Sequence, residues 1–389
     1  MKITKDIKYV GVNDREIDLF EGQYSVPNGM AYNSYAIIDE MCAIMDSVDA
    51  RFCEEWFENI DRALDGRSPD YLVIQHMEPD HSGSIDAFMR RYESCAIVSS
   101  AKAFAMMQGF FGTDYKDRQV VVGEGSELSL GAHTLAFVTA PMVHWPEVIM
   151  TYDKLDRVMF SADGFGKFGA LDTDEEWACE ARRYYFGIVG KYGAQVQAVL
   201  KKLATLDVNI ICPLHGPVLA ENLGYYINLY DVWSSYRAES KGVMIAYASI
   251  YGHTREAAEL LAKELEALGA PKVVLTDLAR CDMHEAVEDA FRYDTLVLAS
   301  ATYNADIFPY MKSFIEHLTE RNYQNRTVAF IENGSWAPMA TKVMKSYFEK
   351  SKNITYAQNE VKITSALSDT SREQLRALAR ELCSTGANS

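Results

Sequence analysis

Cysteine is scarce in this sequence, and its spacing argues against a cysteine-held metal cluster. The 389-residue chain has seven cysteines, an odd number, and no two of them form a C-x-x-C pair. Iron–sulfur and rubredoxin-type cages need closely spaced cysteines, so neither is expected within this chain. Scattered thiols are typical of a reducing cytosol. We expect Cys42 and Cys212, which lie in apolar runs, to be small core residues.

Basic residues are also few, and long apolar runs are missing. Lysine and arginine total 38 against 55 aspartate and glutamate residues, which gives a formal net charge of -17. Because the phosphate backbone of nucleic acid would be repelled, no nucleic-acid partner is expected. No apolar run approaches the ~18 residues of a membrane span, and the N-terminal M-K-I-T-K-D-I-K-Y lacks the apolar core of a signal peptide. The sequence therefore predicts a cytoplasmic protein with no membrane partner.

What is present is the composition of two globular domains. Hydrophobic residues make up 48% and charged residues 24% of the chain, which is ordinary for a globular protein, and its length exceeds that of one typical domain. A polar segment, residues 231–242, separates two different patterns of strands and helices. We therefore expect domains at residues 1–238 and 239–389.

The second domain alternates strand-like and helix-like segments. Five of each follow one another from Val243 onwards, and the last strand is expected around residues 354–363. Such alternation predicts a doubly wound, parallel five-stranded sheet between helices. Ligands of these sheets bind at the carboxyl ends of the strands.

Three loops at those strand ends have the composition of a ligand site. The loop S-I-Y-G-H-T precedes a helix and offers hydroxyls, a tight-turn glycine and free backbone N–H groups, which together suit a terminal phosphate. It lacks the G-x-G-x-x-G of dinucleotide binders and the Gly-Lys-Ser/Thr of nucleotide hydrolases. Two later loops add aromatic faces for a planar ring. The predicted ligand residues are Ser249, Ile250, Tyr251, Gly252, His253, Thr254, Thr302, Tyr303, Asn304, Ala305, Asn333, Gly334, Ser335 and Trp336.

This domain resembles a flavodoxin, and the resemblance rests on those three loops. S-I-Y-G-H-T is similar to the phosphate loop of a flavin mononucleotide (FMN) site, and the two aromatic loops match those that flank the flavin ring. The chain departs from the usual pattern at Tyr251, where free flavodoxins usually have a hydroxyl residue, and at His253, where Asn is common. Both departures keep the backbone donors. His253 either adds positive charge near the phosphate or acts as a neutral hydrogen-bonding imidazole.

The first domain carries a loop with four potential metal ligands. Residues 71–84 read Y-L-V-I-Q-H-M-E-P-D-H-S-G-S, a strand-like run followed by His76, Glu78, Asp80 and His81. Uncompensated charges beside a strand end are costly to bury, so these side chains must be solvated, paired or bound to a cation. Taken alone, the loop is better explained as an exposed polar turn.

Three further loops place single candidates after strand-like runs. His144 follows the run that ends at Thr139, Asp163 follows R-V-M-F-S, and His215 follows V-N-I-I-C-P-L. Side chains at the same end of several strands can converge on one point, so the four loops together predict a metal site. For three other histidines a structural or surface position is expected: His133, His284 and His317.

The order and spacing of the candidate ligands resemble the metal site of the metallo-β-lactamase fold, which implies an αββα sandwich for the first domain. The zinc hydrolases of that fold typically have His-x-His-x-Asp-His, whereas this chain has Glu78 in place of the second histidine. A site with three carboxylates suits iron better than zinc, because hard oxygen donors stabilise the ferric ion. Together with a flavodoxin-like domain, the pattern is similar to that of the flavodiiron proteins, also called A-type flavoproteins.

The flavodiiron resemblance implies a role for each candidate. The implied ligands of one iron are His76, Glu78 and His144. Those of the other iron are Asp80, His81 and His215. Asp163 is implied to bind both irons. Some family members leave the histidine that matches His81 unbound. Trp145 and residues 165–168 either line the pocket or only pack around it.

The same resemblance implies an oxidoreductase that reduces dioxygen to water, nitric oxide to nitrous oxide, or both, at a di-iron site fed by FMN. It also implies a head-to-tail homodimer, or a dimer of dimers, in which the flavin of one subunit faces the irons of the other. No rubredoxin-like or reductase segment follows in this sequence. We therefore expect a separate electron donor: a rubredoxin-like protein, a reductase or a reduced coenzyme.

Two alternatives are compatible with the residues. One is a hydrolase of the metallo-β-lactamase fold that acts through metal-bound hydroxide and carries a flavodoxin-like appendage. The other is an electron-carrying flavoprotein with a vestigial metal site. Glu78 and the flavin loops argue against the hydrolase.

Overall fold

The chain forms two compact units in the computed structural model, which describes residues 2–385. They are Met1–Asp231 and Val232–Ser389, and the boundary expected after residue 238 falls inside the second unit and stays a prediction. All seven cysteines are free thiols, and Cys42 and Cys212 are fully buried as expected. Among the helices of the described residues, none is both long and apolar enough to cross a membrane.

The first unit is built from short strands and helices. Its strands are β1 (Ile7–Tyr9), β2 (Val12–Asp14), β3 (Leu19–Phe20), β4 (Tyr24–Ser25), β5 (Met30–Tyr32), β6 (Tyr35–Ile38), β7 (Cys42–Met45), β8 (Tyr71–Val73), β9 (Ala96–Ser99), β10 (Gln119–Val121), β11 (Glu127–Ser129), β12 (Thr134–Thr139), β13 (Ile149–Asp153), β14 (Val158–Phe160) and β15 (Ile210–Cys212). Its helices are α1 (Cys53–Leu64), α2 (Pro79–Ser82), α3 (Ile85–Arg91), α4 (Ala101–Phe111), α5 (Trp177–Tyr184), α6 (Gly193–Leu203) and α7 (Leu223–Ser234), the last of which reaches past Asp231.

Two sheets share one core in this unit. Their strand orders are β1-β6-β7-β8-β9-β10 and β11-β12-β13-β14-β15. Both sheets contribute to a cluster that includes Ile37, Val73, Phe137 and Phe160, each no more than 1% exposed. In β12 the sequence T-L-A-F-V-T explains the packing, because Leu135 and Phe137 are two residues apart and therefore point to the same face. The predicted sandwich is confirmed.

Helix α1 packs against β6 because its apolar residues recur at helical spacing. Trp56, Phe57 and Ile60 are buried, and Trp56 Nε1 donates to Ser34 Oγ at 2.9 Å. The helix ends at Leu64, because the next residue, Asp65, has a left-handed backbone that stops the helical repeat.

The second unit is an α/β sheet. Its strands are β16 (Ser240–Ala248), β17 (Val273–Asp277), β18 (Tyr293–Tyr303), β19 (Asp306–Ile307), β20 (Arg326–Asn333), β21 (Ile354–Tyr356) and β22 (Val361–Ile363). Its helices are α8 (His253–Ala267), α9 (Met283–Arg292), α10 (Pro309–Glu320), α11 (Ala340–Tyr347) and α12 (Asp369–Thr385). The parallel strands have the order β17-β16-β18-β20-β21. Helices α8 and α12 pack together through Leu261 and Leu378, which are fully buried. The doubly wound parallel sheet predicted from the sequence is confirmed.

The fifth strand position differs from the single strand expected at residues 354–363. Both β21 and β22 pair with β20. Between them, the backbone N–H groups of Gln358 and Asn359 donate to the Glu381 carboxylate at 2.7 and 2.9 Å. Because these amides are turned towards α12, the strand is interrupted there. The sequence pattern also did not indicate β19, which pairs antiparallel with β18.

The core between the two sheets predicts a large effect of Phe137→Ala. Phe137 is 1% exposed, so removal of its ring leaves a cavity, and we expect the free energy of unfolding to fall by about 3–5 kcal/mol. Phe110→Ala is the control, since Phe110 is 48% exposed, and its effect should stay within about 0.5 kcal/mol. Urea denaturation followed by tryptophan fluorescence measures both. Similar losses in the two variants would contradict this packing.

Candidate metal centre and ligand pocket

The first metal-ligand loop runs from the end of β8 into α2. His76 follows β8, Glu78 lies immediately before α2, and Asp80 and His81 lie within it. Pro79 occupies the first helical position, where its missing N–H costs no hydrogen bond, so the chain turns into a helix directly after Glu78. This turn places four candidate side chains at the edge of the sheet.

The other three candidates come from the second sheet of the sandwich. His144 lies in the turn between β12 and β13, Asp163 follows β14, and His215 follows β15. Since β14 and β15 are parallel neighbours, their carboxyl ends lie at the same edge. The structure brings all seven candidates together in two adjoining groups.

The first group consists of two imidazoles and two carboxylates. Glu78 Oε2 lies 3.2 Å from His76 Nε2 and 3.0 Å from His144 Nε2. Asp163 Oδ2 lies 3.3 Å from His76 Nε2 and 3.1 Å from His144 Nε2. The two Nε2 atoms and the two carboxylate oxygens therefore point at a common centre.

The second group contains Asp80, His81 and His215. Asp80 Oδ2 lies 3.2 Å from His215 Nε2 and 3.5 Å from His81 Nε2. The two Nε2 atoms are 3.2 Å apart. Two neutral imidazole nitrogens that both present lone pairs would repel each other, so this arrangement requires a proton or a cation between them.

Asp163 connects the groups, because its Oδ1 also lies 3.7 Å from His215 Nε2. Both carboxylate oxygens of Asp163 and both of Asp80 are buried and have no hydrogen-bond partner among the described residues. Burying charged oxygens without hydrogen bonds is costly unless positive charge balances them. The donor set therefore fits a pair of metal ions, with one carboxylate shared between them.

The electrostatics of the group point the same way. Burial alone would raise the pKa of the Asp163 carboxyl, but the charge of His76 and the close contact of His144 hold that pKa far below its usual range. Burial alone would lower the pKa of His144, but Asp163 and Glu78 outweigh it and raise the pKa to about 9. The carboxylate is thus held ionised and the imidazole beside it holds its proton, so positive charge is stabilised next to Asp163.

The sequence analysis missed the groups that orient the imidazoles. His76 Nδ1 lies 2.9 Å from Glu147 Oε1, which also accepts a hydrogen bond from the Met77 N–H at 2.9 Å. His215 Nδ1 lies 2.7 Å from the carbonyl oxygen of Ala31. These contacts turn each Nε2 towards the centre, as outer partners of metal-ligating histidines commonly do. Glu147 is three residues after His144, but only the fold shows that it faces His76.

Aromatic side chains surround the ligands. Trp145 meets the His76 ring edge-on, with centroids 5.2 Å apart. Phe168 packs against Tyr184, which in turn lies 5.5 Å from the His215 ring. Phe165 instead packs against Tyr230, with tilted rings whose centroids are 4.3 Å apart. Trp145 therefore contacts a candidate ligand, whereas Phe165 and Phe168 belong to the surrounding packing.

The second unit has a pocket at the carboxyl ends of β16, β18 and β20. The cavity has a volume of about 840 Å³. Every predicted cofactor residue except Gly252 lines it. The sequence analysis missed further lining residues: Ala301, Ala337, Met339 and Ser365.

Gly252 shapes the phosphate-type loop without lining the cavity. Its φ is +96°, a conformation that disfavours other residues, and it lies directly before α8. Its N–H donates to Ser249 Oγ at 3.1 Å, which closes the turn. The loop thus leads the chain into the helix with the N-terminus of α8 at the cavity, where an anion is stabilised.

Hydrogen bonds hold the aromatic loops at the pocket. Thr302 Oγ1 accepts from the Met339 N–H at 2.9 Å, and Ser335 Oγ lies 2.6 Å from Ser365 Oγ. Tyr251 is 92% and Trp336 82% exposed. These rings therefore form a mostly unpacked aromatic rim on a cavity wide enough for a planar ring.

Comparison with protein families assigns one model to each half of the chain. A model described as ODP family beta lactamase matches residues 30–216, and a flavodoxin domain model matches residues 244–372. The metal-ligand candidates lie in the first range and the pocket loops in the second.

Relatives that match over most of this chain are also found. The chain is 30% identical over 346 residues to the anaerobic nitric oxide reductase flavorubredoxin of Vibrio vulnificus, covering 86% of this chain and 70% of that protein. It is 29% identical over 360 residues to an uncharacterised protein of Methanocaldococcus jannaschii, covering 90% and 89%.

Solved structures share the fold across both units. The rubredoxin oxygen:oxidoreductase of Desulfovibrio gigas has a TM-score of 0.90 and 26% identity, covering 100% of this chain and 98% of that one. The flavodiiron protein of Giardia intestinalis has a TM-score of 0.89 and 23% identity, covering 99% of each chain.

Glu147→Gln should weaken metal binding without unfolding the protein. The substitution keeps the size of the side chain but removes the negative charge beside His76, and such outer partners contribute roughly 10- to 100-fold in metal affinity. We expect about a tenfold rise in the dissociation constant of a divalent ion, measured by competition with a coloured chelator. Glu58→Gln is the matched control, because Glu58 is exposed. Equal affinities in the two variants would rule out an orienting role for Glu147.

Proposed function

Because this chain belongs to the flavodiiron protein family, we propose that it is an oxidoreductase that reduces dioxygen, nitric oxide or both. The observation that carries the proposal is the pair of adjoining ligand groups connected by Asp163, in a chain that also has a flavodoxin domain with an open pocket. The similar proteins are named for both reactions, since one is a nitric oxide reductase and another an oxygen oxidoreductase.

We assign the two ligand groups to two irons. Asp163 is the proposed bridge, because its Oδ2 faces the first group and its Oδ1 the second. The other proposed ligands of the first iron are His76, Glu78 and His144. The other proposed ligands of the second iron are Asp80, His81 and His215. Three carboxylates among these donors favour iron over zinc.

FMN is the proposed cofactor of the second unit. Residues 249–254 would hold its terminal phosphate at the N-terminus of α8, where the helix favours an anion. Tyr303 and Trp336, which line the cavity, would lie against the flavin ring. The side chain of His253 is 51% exposed and lies 3.9 Å from Glu256 Oε2.

When bound, the irons and FMN supply the electrons that reduce a small diatomic molecule. The chain contributes fixed charges and a dry surrounding. Asp163 is buried and its carboxylate would balance the charge of the cations, and Glu147 holds the His76 ring in place. Tyr184 is fully buried beside His215, and Phe168 is fully buried against Tyr184. These rings keep water away from this side of the site, which strengthens its charge interactions.

A hydrolase of the metallo-β-lactamase fold is the weaker reading. It would use two zinc ions, whereas Glu78 adds a third carboxylate to the donor set. It also gives no role to a second unit whose loops line a cavity of about 840 Å³.

We further propose a head-to-tail homodimer in a cytoplasmic protein. The rim of the flavin pocket exposes the large side chains of Tyr251 and Trp336. Tyr310, which is 46% exposed, extends this patch, because it packs against Phe308 and Phe308 packs against Tyr303 of the pocket. Such a patch suits contact with a second copy of the chain. For the electron donor, a rubredoxin is the first candidate because the D. gigas protein is named for it; a reductase or a reduced coenzyme is the alternative.

Metal analysis and anaerobic rate measurements test the proposed reaction. The purified protein should contain iron and FMN in a ratio of about two to one and should consume nitric oxide or dioxygen when a chemically reduced electron carrier is supplied. His144→Ala should abolish turnover, whereas His317→Ala, on α10, should not change it. Two zinc ions with thioester or lactam cleavage would establish the hydrolase instead. If function is unchanged in His144→Ala, the protein is instead an electron-carrying flavoprotein with a vestigial metal site.

Tyr310→Asp tests the proposed dimer. A charge in the apolar patch should shift the protein to monomers, which keep iron and FMN but lose turnover, because the flavin no longer faces the irons of a partner. Analytical ultracentrifugation and rate measurements on the same samples report both properties. Leu155→Asp is the control, since Leu155 is 49% exposed in the turn before β14. A fully active monomer would refute the head-to-tail arrangement.

A further inference from the structure

A second cluster of potential ligands lies at the opposite end of β12 and β13 from the metal centre. His133 directly precedes β12, Asp153 is the last residue of β13, and Asp156 lies in the turn before β14. One ligand atom from each of the three lies within 4.8 Å of the others. His144, by contrast, follows the far end of β12. The cluster is therefore separate from the proposed iron ligands.

Carboxylates from the first sheet complete the surroundings of His133. Its Nδ1 lies 3.0 Å from Asp153 Oδ1, and its Nε2 faces Asp6 Oδ2 at 3.7 Å. Its backbone N–H donates to Asp39 Oδ2 at 2.6 Å. Asp6 precedes β1 and Asp39 follows β6, so the cluster joins the two sheets of the sandwich.

Two atoms of the cluster are buried without a hydrogen-bond partner. His133 is 1% and Asp153 0% exposed. Among the described residues, neither His133 Nε2 nor Asp156 Oδ2 has a partner within hydrogen-bond distance. Each such atom is costly to bury if nothing binds it. A hydrogen-bond network with nothing bound to it would rarely leave both atoms without a partner.

A proton on His133 does not resolve this arrangement. Burial lowers the pKa of His133, but the hydrogen bond and charge of Asp153 outweigh it, and the pKa is raised. An imidazolium would place one positive charge among the carboxylates of Asp6, Asp153 and Asp156, and it would leave Asp156 Oδ2 without a donor. A divalent cation supplies two positive charges instead of one, and it binds Asp156 Oδ2 directly.

We propose that His133, Asp153 and Asp156 form a third metal site, which binds a divalent cation of the Zn²⁺ type. One imidazole nitrogen and two carboxylate oxygens are a donor set that suits Zn²⁺. With Nδ1 on the ion, Nε2–H faces Asp6, the carboxylate partner that metal-ligating histidines commonly have. The ion would thereby tie β12 and β13 to the segment before β1. Its role is structural, and it does not depend on the proposed reaction.

Zinc titration of the iron- and FMN-loaded protein tests this site. Isothermal titration calorimetry should detect one more Zn²⁺ per chain in the wild type than in Asp156→Asn. With zinc at about 100 times its dissociation constant, the melting temperature of the wild type should rise by roughly 5 °C. The variant should show no such rise. Asp117→Asn, at an exposed site, should behave like the wild type.

Iron content and turnover are measured on the same samples, so loss of the proposed reaction is distinguished from loss of this site. Circular dichroism and FMN content establish that Asp156→Asn is folded. If it is not, His133→Gln replaces it as the test variant. A wild type that binds no additional zinc overturns the proposal, and so does equal zinc binding by the wild type and the variant.

Discussion

Buried negative charge is the constraint on which the first unit depends. Asp163 is fully enclosed between two groups of imidazoles, and neither of its oxygens has a hydrogen-bond partner among the described residues. A carboxylate in this position is tolerated only if positive charge is supplied. Without an ion, the histidines provide it, as the raised pKa of His144 indicates. The same need for charge explains why a cation fits here so well.

The arrangement of strands turns this electrostatic need into a defined site. β14 and β15 are parallel, so Asp163 and His215 leave the second sheet at the same edge, while β8 brings His76 from the first sheet. Outer contacts then fix the rings, with Glu147 behind His76 and the carbonyl of Ala31 behind His215. A site supported by two sheets and by backbone atoms holds its geometry better than one on a single loop.

Much of the fold could be predicted because its signals are local. Alternating strands and helices indicated the parallel sheet, and strand-like runs indicated the sandwich. The break between β21 and β22 could not be predicted, because it depends on Glu381, more than twenty positions along the chain, accepting two amides. Likewise, His133 was expected to be structural, and only the fold brings Asp6, from before β1, towards its ring.

The sequence by itself determined the donor types, their order and the two domain families, since these follow from residue identity and spacing. Glu78 in a motif that otherwise favours zinc, and the glycine of S-I-Y-G-H-T, are properties of the chain before it folds. Tertiary structure alone decided which atoms face one another. The two oxygens of Asp163 divide between the ligand groups, and Glu147 turns to His76. Such contacts join residues far apart in the chain, and only packing brings them close together.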